Sequence, residues 1–212
     1  MRAEVVADGT DIALGFDGSL RDDATVLIGS RMSDGFLFPV GIWAKPSGIE
    51  GNWWEVPRSD VLASIREAFG RYNVSRMYAD PHEWRSDIDA LAAELGEERV
   101  IPWETRRDIA MAAALDRLRT DMLQGGPVED GKAFGAVFHS GDKVLMEHFG
   151  NAYVRKKGGH RLVRKEHDQS SRKIDSVVGA ALAYEARADA ITAGWGTNSS
   201  KLTRVKGRAS AY

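Results

Sequence analysis

Three aspartates far apart in the chain, Asp17, Asp80 and Asp175, stand in settings that suit metal chemistry. Asp17 closes the run Ile12-Ala13-Leu14-Gly15-Phe16-Asp17, where large apolar and small residues alternate with the period of a strand. Asp80 closes a second such run, Val74 to Ala79, which Pro81 stops. Asp175 falls in the first turn of a long helical pattern. Ser176, Gly179, Ala180 and Ala183 follow it and are small enough to let that helix lie close on a sheet. If the two strands are parallel neighbours, their C-terminal ends put Asp17 and Asp80 side by side. Bare carboxylates so placed raise one another's pKa. A divalent cation removes that cost, and an oxygen-only ligand set suits Mg²⁺ or Mn²⁺. Two such ions can activate a water and stabilise the leaving oxygen in phosphodiester cleavage. Asp23 can return beside Asp17 if residues 18–22 connect tightly into another strand. Singly, each acid has a plain structural explanation as a turn former, a strand stop or a complement to a helix dipole. Their joint placement favours a site.

The elements that must position these acids are readable from periodicity. Residues 24–28 and 35–44 follow the first strand with short connections, which predicts an antiparallel meander. Helices are expected from Pro57 to Phe69, burying Val61, Leu62, Ile65, Ala68 and Phe69, and at about 84–95, ended by Gly96. A short strand is expected at 99–103. A helix follows over 107–123, with Ile109, Met111, Ala112, Leu115, Leu118 and Met122 spaced for burial. Strand then helix, twice over, adds parallel strands by right-handed crossovers. A short extended piece and a helix from about Asp142 come next, then a hairpin over 154–165 turning at Gly158-Gly159. The last helix is expected over Arg172 to Ala190, N-capped by Ser170 or Ser171 and burying Ile174, Val177, Val178, Ala181, Leu182 and Ile191. Residues 1–10 read as a frayed lead-in or linker, 11–195 as one domain, and 196–212 as a disordered basic tail.

Composition narrows the function classes. The 212 residues hold no cysteine, which excludes disulfides, thiolate zinc sites and cysteine nucleophiles. No apolar run is long enough to span a bilayer and no signal-peptide core opens the chain, so a cytoplasmic protein is expected. The net charge of −2 conceals an uneven distribution. Arg155, Lys156, Lys157, Arg161, Arg164, Lys165, Arg172 and Lys173 oppose only Glu166 and Asp168 within residues 155–173. A basic stretch on an acidic body predicts one local polyanion surface, contacting DNA backbone without reading sequence. Lys165 and Lys173 are the members expected nearest the scissile phosphate. Gly126 to Ala133 nearly spells a phosphate-binding loop, but Ala133 lacks the hydroxyl that would meet Mg²⁺. The segment also follows a helix, and Glu129 and Asp130 repel phosphate, so a plain loop without nucleotide is expected. His139 and His167 are candidate proton carriers for which a structural role is the better expectation. Trp53 and Trp54 are expected to be buried.

In order and spacing, GFDGS with Asp23-Ala24-Thr25, YADP ending at Asp80, GDKVLMEHFGNAY and the basic run, then RKIDSVVGAALAYEARADA around Asp175 resemble the nuclease domain of a tailed-phage terminase large subunit. The resemblance covers about residues 11–193. It implies an RNase H-like α/β fold: a mixed sheet made of a three-strand antiparallel meander plus parallel strands, with helices on both faces. It implies a Mg²⁺- or Mn²⁺-dependent endonuclease, with two ions, that cuts concatemeric double-stranded viral DNA during packaging. Asp17, Asp80 and Asp175 would be the metal-binding catalytic acids and Asp23 a further metal-site acid. Where some members carry a second acid after the helix acid, this chain has Ser176. The implied partners are a motor ATPase domain, a small terminase subunit and a portal protein. The length leaves no room for the motor, so the nuclease domain alone is expected, with residues 1–10 the remainder of a linker. Another RNase H-like nuclease, such as a junction resolvase or transposase, and a non-catalytic DNA-binding or portal-docking module are the alternatives.

Overall fold

The computed structural model describes residues 5–21, 23–46, 53–129, 132–135, 137–167 and 170–196; for 125–129 and 132–135 it describes the backbone alone. Strands β1 (Asp11–Asp17), β2 (Thr25–Arg31) and β3 (Leu37–Trp43) form the antiparallel meander, and β4 (Asn73–Ala79) and β5 (Val100–Pro102) extend it in parallel. The sheet order is β3-β2-β1-β4-β5, so β1 lies at the centre with β4 as its parallel neighbour. Helix α1 (Arg58–Arg71) leads into β4, α2 (Arg85–Leu95) joins β4 to β5, and α3 (Asp108–Leu123) leaves β5.

The alternation in β1 decides what covers each face. Ile12, Leu14 and Phe16 enter a core with Val61, Ile65 and Ala68 of α1 and Ile88 and Leu91 of α2. Ala13 and Gly15 turn the other way, toward the final helix α5 (Asp175–Thr192). That helix packs across β1, β2 and β4, with α3 and α4 (Lys143–Gly150) beside it. The two-layered covering of a mixed sheet is the architecture anticipated from the sequence. Among the described residues no helix is long and apolar enough to cross a membrane.

Among the described residues two small hairpins stand beside the main sheet. β8 (Tyr153–Lys157) and β9 (His160–Arg164) pair antiparallel across Gly158 and Gly159, whose φ values of +56° and +83° suit glycine. The segment expected to be a loop instead forms β6 (Gly125–Glu129) and β7 (Lys132–Gly135), paired Val128 to Ala133 and Glu129 to Lys132; residues 130 and 131 lie outside the described residues. Backbone pairing there satisfies peptide groups that a bare loop would leave to solvent.

Several local expectations are corrected. Trp53 is 92% exposed, whereas Trp54 packs at the edge of the core. Ile109 is 71% exposed because it lies on the side of α3 away from Met111 and Leu115. Met122 and Ile191 lie near the ends of their helices and are 43% exposed. The last helix starts at Asp175, not Arg172, and no side chain caps it. Ser170 Oγ instead accepts from Arg172 N at 3.2 Å, closing a local turn before the helix. Within the expected lead-in, Val6 reaches the core and Asp8 pairs with Arg71 at 2.6 Å, while Val5 is exposed. The expected tail beyond residue 196 lies outside the described residues.

Candidate metal centre and nucleic-acid interface

The parallel pairing of β1 with β4 carries Asp17 and Asp80 to the same sheet edge. Phe16 faces Ala79 in register, and Asp80 N donates to Phe16 O at 3.0 Å. Asp175 reaches that edge because α5 lies almost on the sheet. A Cβ on Gly15 would collide with the Gly179 carbonyl and the Ala183 N–H, which are rigid backbone groups. A Cβ on Gly179 would sit 2.8 Å from Val26 Cγ2 and 3.0 Å from Ile28 Cγ1. Asp175 is one helical turn before Gly179 and Asp17 two residues beyond Gly15, so this glycine contact fixes how near the two acids come.

Asp17, Asp23, Asp80 and Asp175 line one cleft of about 510 Å³, together with Ser19, His82 and Glu83. Its walls are tied together. Ser19 N donates to Thr25 Oγ1 at 3.1 Å, and Thr25 Oγ1 donates back to Ser19 O at 2.8 Å, pinning the tight connection from β1 to β2. Leu20 N donates to Glu83 Oε2 at 3.2 Å, joining that connection to the turn after Asp80. Asp80 is 6% exposed and accepts from Thr105 Oγ1 and, at 3.3 Å, from His82 N. Both contacts hold its carboxylate in one orientation.

The electrostatics are those of a site short of positive charge. Burial, then the charges of Asp175, Asp80 and Asp23, push the Asp17 carboxyl well above its ordinary range. Burial and then Asp23 push Asp175 up to about 6, against the opposing pull of Lys165 and of nearby backbone N–H groups. Asp175 is 8% exposed, and its Oδ2 is buried without a hydrogen-bond partner. Such an orphaned carboxylate oxygen in an all-oxygen cleft fits a hard divalent cation. Among the described residues no three acid or histidine side chains stand close enough together to hold a metal ion as they are placed.

Asp23 differs from the other three. Lys165 Nζ and Lys173 Nζ both bond its Oδ1, the second at 3.2 Å. Burial alone would raise its carboxyl, but these two ammonium groups outweigh burial and hold it below its ordinary value.

The other basic residues divide by position. Arg155 and Lys157 share a face of β8 and line a second cleft of about 440 Å³, which meets the first at Asp17. Lys157 also pairs with Asp108 at 2.5 Å, and Arg161 with Asp116 at 3.1 Å, fastening the hairpin to α3 while Leu162 buries beneath it. Arg164 donates to the backbone oxygens of Lys165 and Glu166, Arg172 pairs with Glu166 at 3.7 Å, and Lys156 is exposed on β8. His139 and His167 are exposed, and neither lines the acid cleft.

Three contributors were not singled out from the sequence. Thr105 lies in a polar loop with nothing to mark it. Arg106 lines the second cleft and meets His82 Nε2 at 2.8 Å. His148, buried in α4, receives Ser176 N at 3.2 Å and lies 2.7 Å from Ser176 Oγ, fastening the first turn of α5 behind Asp175. Burial holds its imidazole below the ordinary value, consistent with an accepting Nδ1. Only its place in an amphipathic helix before the basic run could have signalled it.

No protein-family model matches the chain. The Gene 13 protein of Mycobacterium phage L5 is 36% identical over 184 residues, covering 85% of this chain. The chain spans about 30% of the length of the curated relatives it matches. The HK97 bacteriophage large terminase superposes with a TM-score of 0.62 at 21% identity, over 86% of this chain and 41% of that one. The large terminase nuclease from thermophilic phage G20c with bound magnesium superposes with a TM-score of 0.59 at 17% identity, over 85% of each chain. The chain therefore has the RNase H-like fold of the phage large-terminase nuclease domain.

Proposed function

We propose that this chain is the nuclease domain of a phage large terminase, a metal-dependent endonuclease that cuts concatemeric double-stranded DNA during packaging. The observation that carries the reading is the convergence of Asp17, Asp80 and Asp175 on one cleft. In this reading residues 11–195 form the catalytic domain, 1–10 lead from a motor ATPase, and 196–212 form a basic tail. A small terminase subunit and a portal protein are the further partners, and the host cytoplasm is the place of action.

Asp17, Asp80 and Asp175 would hold Mg²⁺ or Mn²⁺. Bound divalent ions of this kind activate water and stabilise the departing oxygen of a phosphodiester. Thr105 and the His82 N–H keep the Asp80 carboxylate aimed, and the His148–Ser176 contact steadies the helix end that presents Asp175. Arg155 and Lys157 border the neighbouring cleft, where they hold the DNA backbone; Lys156, Arg161, Arg164 and Arg172 extend the cationic surface. Phosphate contacts of this kind give affinity and register without base specificity.

The test is a supercoiled-plasmid assay with Mg²⁺, Mn²⁺, Ca²⁺ or EDTA. Nicking and linearisation in Mg²⁺ or Mn²⁺, and none in EDTA, are expected. Cleavage that persists undiminished in EDTA would sink the reading.

A further inference from the structure

We propose that Asp23 is not a metal ligand but the counter-ion of two phosphate-binding lysines, Lys165 and Lys173, parked at the edge of the acid cleft. The inference deepens the nuclease reading and rests on it for the identity of the phosphate. Three observations carry it. Both ammonium groups converge on a single carboxylate oxygen, Asp23 Oδ1. Their side chains are 17% and 20% exposed, so these are not loose surface lysines that happen to touch an acid. They also come from opposite ends of one excursion of chain: Lys165 directly follows β9 and Lys173 lies two residues before α5.

Two ammonium groups this close repel each other, and a carboxylate between them holds both at the rim. A cation taking Asp23 Oδ1 would have to displace both groups, and one approaching Oδ2 would meet two ammonium charges beside it. Asp175, by contrast, keeps a buried oxygen without a hydrogen-bond partner. An incoming phosphodiester offers the lysines a second anion without dismantling the metal-binding acids. Asp23 thereby acts as a positioning residue, and the ammonium groups stand ready beside the bond to be cut.

The test uses calorimetric titration of Mn²⁺ into the 212-residue chain. Asp23→Asn removes a negative charge and is expected to weaken Mn²⁺ by about tenfold through field alone. Lys165→Met should tighten Mn²⁺ by a similar factor. The charge-balanced double variant Asp23→Asn/Lys165→Met should return to within about threefold of the native affinity. Asp23→Asn/Lys173→Met, a second variant of the same design, should do likewise. If both double variants remain more than about threefold weaker than the native protein, Asp23 contributes coordination beyond its charge, and the proposal is overturned.

A second arm measures binding of a short DNA duplex in Ca²⁺. Lys165→Met should lower the salt slope by about one phosphate contact; an unchanged slope overturns the proposal. Native protein that binds no Mn²⁺ would instead remove the nuclease reading, and the lysine assignment is then decided by the duplex arm.

Discussion

Replacing Asp175 by asparagine should make the metal-free protein more stable while removing its activity. Asp175 is 8% exposed, and burial lifts its carboxyl from an ordinary 3.8 to about 6. A raised folded value means that the stabilising contribution is complete below pH 3.8 and lost as pH climbs through about 6. At pH 8 the buried charge therefore costs about 3 kcal/mol relative to the neutral acid, an upper bound for what asparagine recovers. For a chain of this size that is a rise in Tm of roughly 6–12 °C. Thermal melts in EDTA at pH 4 and pH 8 measure it. The variant should gain on the native protein at pH 8 and hardly at all at pH 4. Saturating Mn²⁺ should reverse the order at pH 8, because only the native cleft gains binding energy. A variant no more stable than native protein at pH 8 in EDTA would refute the argument that buried negative charge is held there in readiness for a cation.

Three further outcomes follow from the same geometry. Mn²⁺ affinity measured by calorimetry should fall as pH drops through about 6, since Asp175 must release a proton to bind; a flat profile from pH 5 to 8 contradicts this. Gly179→Ala should cost about 1–3 kcal/mol by denaturant titration and reduce cleavage, because the new methyl meets Val26 and Ile28 and lifts α5 from the sheet; unchanged stability would show that the helix has slack. Thr105→Val takes the hydroxyl from Asp80 and should lower kcat about tenfold with little change in duplex affinity, whereas a pure loss of duplex affinity would assign Thr105 to DNA binding.

Most of the fold was legible because β1 states both of its faces. Ile12, Leu14 and Phe16 demanded a thick apolar layer, and Ala13 and Gly15 demanded a helix at close range; Ser176, Gly179, Ala180 and Ala183 supplied one. Asp17, Asp80 and Asp175 were legible because each sits at the end of an element, where periodicity stops and an acid begins. Features that depend on contacts between distant segments were not. Thr105 and His148 matter through Asp80 and Ser176, which lie 25 and 28 residues away. The pairing of Asp23 with Lys165 and Lys173 spans 142 and 150 residues and left no local mark. Burial at helix ends was overestimated at Met122 and Ile191, where a helical stripe runs past the partner it packs against. Ser170 and Ser171 have the residue type of an N-cap, but Ser170 spends its oxygen on a turn and the helix begins later.

Asp17, at the end of β1 and shared by both clefts, is the residue on which the proposed metal-dependent cleavage turns. The most direct measurement follows supercoiled plasmid in Mn²⁺ with the native chain and Asp17→Asn side by side, folding of the variant being checked by circular dichroism. Linear product is expected from the native chain and none from the folded variant; cleavage by Asp17→Asn at the native rate would remove Asp17 from the metal site.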